Sequence, residues 1–312
     1  MELKKQRLAL ERQAIARLGA SMEKAPFSTC RWVGSLMGLA FYGAIKSRRA
    51  TANSNLKLVF PNLSDQEVTR LARRSAQNFG MSFCEFLHLK SASKAEIAAY
   101  CQWNGLENIL AALSGGQGVV LPTAHFGAWE VMGARAVHEF PLTVVVRLTS
   151  NVALREHIES VRRAINVQMI HKNEPARPSL DVLHRGEGLA IFPDQHAGKT
   201  GTLLPFFGFP TSVVTSPARL ALVTGAPLVP TFAVRRKPWL SDGRVVITAS
   251  PALKLEREKG KSREEIVIEG TQYVLRETEK IIRAHPDQRL WMHRRWRDED
   301  FRKARESESH GK

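Results

Sequence analysis

The stretch Leu121-Pro-Thr-Ala-His125-Phe-Gly127-Ala-Trp-Glu130-Val-Met-Gly133 decides the reading of this chain. It continues an apolar run, Gly118-Val-Val-Leu-Pro-Thr123, which lacks the polar alternation of a half-exposed strand and so reads as a strand buried on both faces. His125 falls in the turn that follows, and from about Gly127 the spacing becomes helical. A buried strand feeding a helix is the repeating unit of an α/β domain, and such sheets place ligands beyond the carboxyl ends of their strands. On one continuous helix a His and a Glu five apart would stand about 140° apart and could not touch. With His125 in the turn and Glu130 in the first helical turns, the spacing predicts that the Glu130 carboxylate reaches one imidazole nitrogen. The other nitrogen is left to take a proton, which is the kit for general-base activation of a hydroxyl or water. The alternative is a strand-end His that only caps the helix.

Working outward, β-rich runs recur at 142–147, 167–170, 188–192, 228–234 and 245–248. Between them 127–139, 150–165, 176–185 and 212–224 read as helices, and Glu264 to Ala284 as a last long one. The expected fold is α/β, a central and mostly parallel sheet flanked by helices. Upstream, 53–89 reads as helical, with Ser64-Asp-Gln-Glu67 as a capping box. The organisation reads as a basic segment 1–50, a helical region 51–104 packed on the core, an α/β core 105–303 and a frayed polar tail 304–312.

The chain of 312 residues carries 46 Lys+Arg against 30 Asp+Glu, a formal net charge of +16. With 43% hydrophobic residues it can bury a core, and three cysteines without metal spacing exclude a disulfide-built fold. A mean hydropathy of −0.23 excludes a polytopic membrane protein. The first fifty residues hold ten Lys or Arg against three Glu, so +7 of the +16 sits there. Embedded in them is Trp32 to Ile45, fourteen residues without a charge, or nineteen if extended back to Phe27. A spanning helix needs about 20 apolar residues, so the run is short. It reads as a membrane anchor over about 27–45 that dips into or barely crosses an anionic bilayer, flanked by Lys46, Arg48 and Arg49, with a helix packed on the domain as the alternative.

Two phosphate-binding look-alikes fail. Leu113-Ser-Gly-Gly-Gln117 matches a transporter-ATPase signature, and Gly198-Lys199-Thr200 the end of a P-loop, but Pro193 stands where the first P-loop glycine belongs. Gly201, Pro205, Gly208 and Pro210 then forbid the helix that a P-loop needs. No Gly-x-Ser-x-Gly, His-Glu-x-x-His or Cys/His cluster occurs, which argues against a nucleophile-elbow hydrolase and a zinc enzyme. A base without a covalent nucleophile fits direct transfer to an acceptor hydroxyl.

Five motifs lie in register: His125-Phe-Gly-Ala-Trp-Glu130, Pro193-Asp-Gln-His-Ala-Gly198, Leu204-Pro-Phe-Phe-Gly-Phe-Pro210, Ala218-Arg-Leu-Ala-Leu-Val-Thr-Gly-Ala-Pro227, and Pro286-Asp-Gln-Arg-Leu-Trp-Met-His-Arg-Arg-Trp296. With Asn55-Leu and Phe60-Pro61 upstream, they resemble the late acyltransferases of lipid A biosynthesis, over about residues 27–303. That family belongs to the glycerolipid acyltransferase superfamily, with its His-x4-Asp/Glu signature. The resemblance implies transfer of a fatty acyl chain from acyl carrier protein, or acyl-CoA, to a hydroxyl of a lipid A precursor at the cytoplasmic face of the bacterial inner membrane. It implies no metal and no cofactor beyond the acyl thioester. Carried over, His125 is the base and Glu130 its orienting carboxylate, while Arg147, Arg162, Asp194, Gln195 and Arg219 bind substrate or shape the site. Arg294 and Arg295, between Trp291 and Trp296, are expected to hold phosphates or sit at the membrane interface. Phe206, Phe207 and Phe209 are expected to wall the acyl chain. Backbone N–H groups at the helix start, or Arg147, are the expected oxyanion donors. Ala128 departs from the Asn common at that place, which bears on substrate positioning. Acylation of another glycolipid or lysophospholipid, such as a phosphatidylinositol mannoside, is the alternative. A basic nucleic-acid-binding protein is the more distant one, disfavoured because charge gathers around an apolar run and aromatics make up only 7%.

Overall fold

Capped amphipathic helices build the first third of the chain. The computed structural model describes residues 2–147, 149 and 151–310, with side chains between 11 and 306. Helices α1 (Glu2–Glu23), α2 (Phe27–Ala44), α3 (Lys46–Val59), α4 (Asp65–His88) and α5 (Lys94–Tyr100) come first. The predicted capping box opens α4: Ser64 Oγ accepts from the Glu67 N–H, and Glu67 accepts from the Ser64 N–H.

The glycines that make α2 a poor bilayer span have a packing purpose. A Cβ on Gly34 would stand 2.4 Å from Gly80 O, and one on Gly38 2.1 Å from Ala76 O, so α2 and α4 cross backbone to backbone. No helix among the described residues is long and apolar enough to cross a membrane. Elsewhere α2 exposes Trp32, Leu36, Met37 and Phe41, with Ile45 exposed just past its end.

The core follows as β1 (Cys101–Asn104), α6 (Leu106–Ser114), β2 (Val119–Pro122), α7 (Trp129–Ala136), β3 (Leu142–Val146), α8 (Val152–Ala164), β4 (Gln168–His171), α9 (Arg177–His184) and β5 (Gly188–Ile191). A hairpin of β6 (Thr202–Phe206) and β7 (Phe209–Val213) comes next, then α10 (Ser216–Thr224), β8 (Thr231–Arg235), β9 (Val245–Ala249), α11 (Arg263–Ala284) and α12 (Asp298–His310). Strands β2-β5-β3-β4 form a parallel sheet, as the alternation of strands and helices requires. A second sheet, β1-β9-β8, is mixed, because β8 and β9 are antiparallel. Bridges Val120–Leu228 and Gly127–Ala233 join the two. A fully buried ion pair ties α4 to the second sheet: Arg235 Nη2 meets Glu85 Oε2 at 2.8 Å, with Tyr100 donating to the same carboxylate.

Three elements differ from expectation. The segment around Phe206–Phe209 is a hairpin with Phe207 and Gly208 in the left-handed region at its turn. Because Ser212 and Val213 complete β7, the helix expected from 212 begins at Ser216. The expected frayed tail is helical through His310, with acidic Asp298, Glu299 and Asp300 in its first turn, which favours a helix N-terminus, and Asp300 buried against His196.

Candidate active site

His125 lies three residues beyond β2, in a turn that only glycine permits. Gly127 has φ +57°, and a Cβ there would stand 1.7 Å from Ala233 O. The turn is anchored from α4, since Asn78 Nδ2 and Ser82 Oγ both donate to Gly127 O. The Gly127 and Ala128 N–H groups are already spent on Gln288 O and Ala233 O, which removes those two from the helix-start donors expected for an oxyanion.

The imidazole partner is not the one that local spacing predicts. Nδ1 of His125 meets Asp194 Oδ1 at 2.9 Å, and the His125 backbone N–H donates to Asp194 Oδ2 at 3.1 Å. Glu130 accepts from Arg162 Nη2 at 2.8 Å, so the expected Glu130–His125 contact is replaced by an ion pair reaching across from α8. The reason is register. Pro122 of β2 pairs with Ile191 of β5, and His125 and Asp194 each stand three residues further along parallel neighbours. The sequence holds a trace of this, two buried runs each followed at the same interval by a titratable residue, but pairing them takes the register of the sheet.

Charge completes the arrangement. Burial alone would lift the Asp194 carboxyl, but the His125 charge, the two hydrogen bonds from His125 and the nearby Arg289 pull it down to about 2. Burial opposes the imidazolium of His125, yet Asp194 and, more weakly, Glu130 outweigh it and raise its pKa. An ionised Asp194 accepts only, so Nδ1 carries the hydrogen and the lone pair sits on Nε2. The edges of Trp129 and Phe192 hold the ring, with centroids 5.6 and 4.9 Å away.

A cleft adjoins this histidine, and a second space adjoins the cleft. The cleft, open and of about 560 Å³, is lined by His125, Glu130, Arg147, Arg162, Gln195 and Arg219, six of the residues singled out in the sequence. Asp194 lies just behind the cleft, through its bond to His125. The cleft also gains cations that sequence reasoning missed, Arg155 from α8 and Lys172 after β4. Arg155 shares one α8 face with Glu159 and Arg162, a pattern that helical spacing alone could have flagged. Arg219 also pairs with Glu264 at 2.7 Å. The second space, narrow at about 40 Å³ and mostly apolar, runs along α7 past Glu130, Gly133 and Ala136 to Phe140 and shares Trp129, Glu130, Arg162 and Phe192 with the cleft.

Two expectations are corrected. Phe206 and Phe207 are buried in the core against Trp296, and Phe209 sits beside Phe301, so none of the three walls the apolar space next to His125. The hairpin carries them away from it. Arg294 is exposed and pairs with Asp298, whereas Arg295 is fully buried and donates to the Gln195 and Ser212 carbonyls. Arg295 thus faces protein rather than solvent or lipid. His196, Glu299 and Asp300 gather within 4.8 Å, but both His196 nitrogens are engaged, Nε2 with Asp300 and Nδ1 with the Gly198 N–H. That leaves no ring lone pair for a cation.

Residues 2–298 match the model of the bacterial lipid A biosynthesis acyltransferase family. A lipid A biosynthesis palmitoleoyltransferase of Escherichia coli (strain K12) is 26% identical over 274 residues, 87% of this chain and 86% of the relative. A lipid A biosynthesis lauroyltransferase of the same strain is 24% identical over the same shares. A phosphatidylinositol mannoside acyltransferase of Mycobacterium tuberculosis (strain CDC 1551 / Oshkosh) is 28% identical over 165 residues, 50% of this chain and 52% of the relative. With a buried strand ending in an oriented histidine, and a family match spanning nearly its whole length, the chain belongs to the bacterial lipid A biosynthesis acyltransferase family and is an O-acyltransferase.

Proposed function

We propose that this enzyme moves a fatty acyl chain from an acyl thioester, carried by acyl carrier protein, to a hydroxyl of a lipid A precursor. The observation that carries this reading is the His125–Asp194 pair at a cationic cleft whose walls Trp129, Glu130, Arg162 and Phe192 it shares with a neighbouring apolar cavity. The cleft suits a phosphorylated sugar headgroup, with Arg147, Arg155, Lys172 and Arg219 as its cations. The cavity along α7 suits the acyl chain. His125 Nε2 takes the proton of the acceptor hydroxyl as its oxygen attacks the thioester carbonyl. The new C–O bond forms, the C–S bond breaks, and the departing thiolate receives the proton from the imidazolium. Arg147 and Arg162 line the space where negative charge gathers on the carbonyl oxygen. Glu130 holds Arg162 there and adds its charge to the field at His125.

The enzyme works at an anionic membrane surface, on the cytoplasmic face of the inner membrane. The uncharged exposed face of α2, with Lys46, Arg48 and Arg49 at its end, supports a helix that lies in the interface rather than crossing it. The relatives that acylate phosphatidylinositol mannosides support a second acceptor, a mannosylated glycerolipid, and acyl-CoA is the alternative donor.

The test is transfer by the purified chain from acyl carrier protein or acyl-CoA thioesters to an acylated, phosphorylated glucosamine disaccharide or to a phosphatidylinositol mannoside, read by mass spectrometry. Transfer to neither acceptor would overturn the reading.

A further inference from the structure

Behind the dyad runs a short segment that touches both of its halves. After α11 the chain makes a 3-10 turn over Pro286–Gln288 and continues to Trp296. Its first residues zip onto the His125 turn through backbone alone. The Leu290 N–H donates to His125 O at 3.1 Å, the Gly127 N–H donates to Gln288 O at 3.0 Å, and Phe126 and Arg289 form an antiparallel bridge. Its last residues hold the Asp194 turn through side chains. His293 Nε2 accepts from the His196 N–H at 3.2 Å, and Arg295 Nη1 donates to Gln195 O at 2.7 Å.

The two turns leave neighbouring strands, but among the described residues the last backbone bond between those strands is Thr123 N–H to Ile191 O. Beyond it, the spacing of His125 and Asp194 is set by whatever holds each turn, and this one segment holds both. Each of its side-chain contacts is suited to the task. Burial, with Arg289 and Arg295 alongside, pushes His293 down to about 4, so its ring stays neutral and keeps an acceptor lone pair. Arg295 is fully buried with Nε and Nη2 unpartnered, a costly placement whose hydrogen bonds run from Nη1 to the Gln195 and Ser212 carbonyls.

We propose that His293 and Arg295 are positioning residues, which fix the Asp194–His196 turn so that the Asp194 carboxylate meets Nδ1 of His125. The proposal rests on His125 being the base. A displaced Asp194 no longer raises the His125 pKa, and a misplacement of about 1 Å costs on the order of 10- to 100-fold in rate.

The experiment compares His293→Ala, His293→Gln and Arg295→Lys with His125→Ala in the transfer assay, across pH. His293→Ala should lower kcat by roughly 10- to 100-fold with KM nearly unchanged, and should move the acid limb of kcat/KM to lower pH. His293→Gln, whose Oε1 can accept the same N–H, should recover most of the rate and return the limb. Should His293→Ala fail to fold, Arg295→Lys decides, with a lowered kcat and the same shift expected. An active His125→Ala removes the base reading and this inference with it. An inactive His125→Ala beside a fully active His293→Ala, or a loss with an unmoved limb and no recovery by Gln, overturns this inference alone.

Discussion

In the proposed reaction the proton that His125 accepts lands on Nε2, because Nδ1 carries one that Asp194 holds there. His125→Ala should therefore cut transfer by about 10²–10⁴-fold, the usual share of a general base, while the circular-dichroism spectrum stays unchanged. Asp194→Asn should cost a similar factor and move the acid limb of kcat/KM to lower pH, since Asp194 is the main influence raising the His125 pKa. Glu130→Gln should move that limb less, because Glu130 acts on His125 only through its charge and more weakly. The linkage sign follows from the same shift. A His whose pKa is raised on folding contributes stability fully present below its unfolded value and lost as pH rises through the folded one. The Tm difference between wild type and Asp194→Asn should thus be larger near pH 5.5 than near pH 8.5.

At the scale of elements, α2 and α7 each present small residues for a reason. Gly38 meets the α4 backbone, so Gly38→Val should destabilise the fold by at least about 1–3 kcal/mol in chemical denaturation. Gly133 on α7 lines the apolar cavity, and a Cβ there meets nothing within 4 Å. Gly133→Leu should fold normally and shift preference toward acyl donors shorter by roughly the four carbons that it adds, read in donor competition assays. The same two helices show what a sequence discloses. Strand–turn–helix order around His125 was legible because it is local, and Ser64 and Glu67 announced α4 by themselves. The partner of His125 was not, because choosing Asp194 over Glu130 needs the register of two strands 69 residues apart in the chain. Phe206 to Phe209 misled for a related reason. Apolar and turn-rich describes a pocket wall and a buried hairpin equally, and only the pairing of Phe206 with Phe209 separates them.

For the whole molecule, part of the charge of +16 sits on the N-terminal helices and part lines the cleft. If α2 lies in the interface, Trp32→Ser, Leu36→Ser and Phe41→Ser together should weaken partition into anionic vesicles, by roughly 1 kcal/mol or more for each side chain. Any binding that remains should fall with salt, as expected of exposed basic residues. Folding order carries a different consequence of the segment at 286–296. His125, Asp194, Arg162 and Arg147 all lie in the first two thirds of the chain, yet the Leu290 N–H that caps His125 and the His293 ring that holds the Asp194 turn lie close to its end. If the segment at 286–296 sets the spacing of His125 and Asp194 as proposed, a chain that has emerged from the ribosome only as far as the Asp194 turn holds its reacting groups without the contacts that align them.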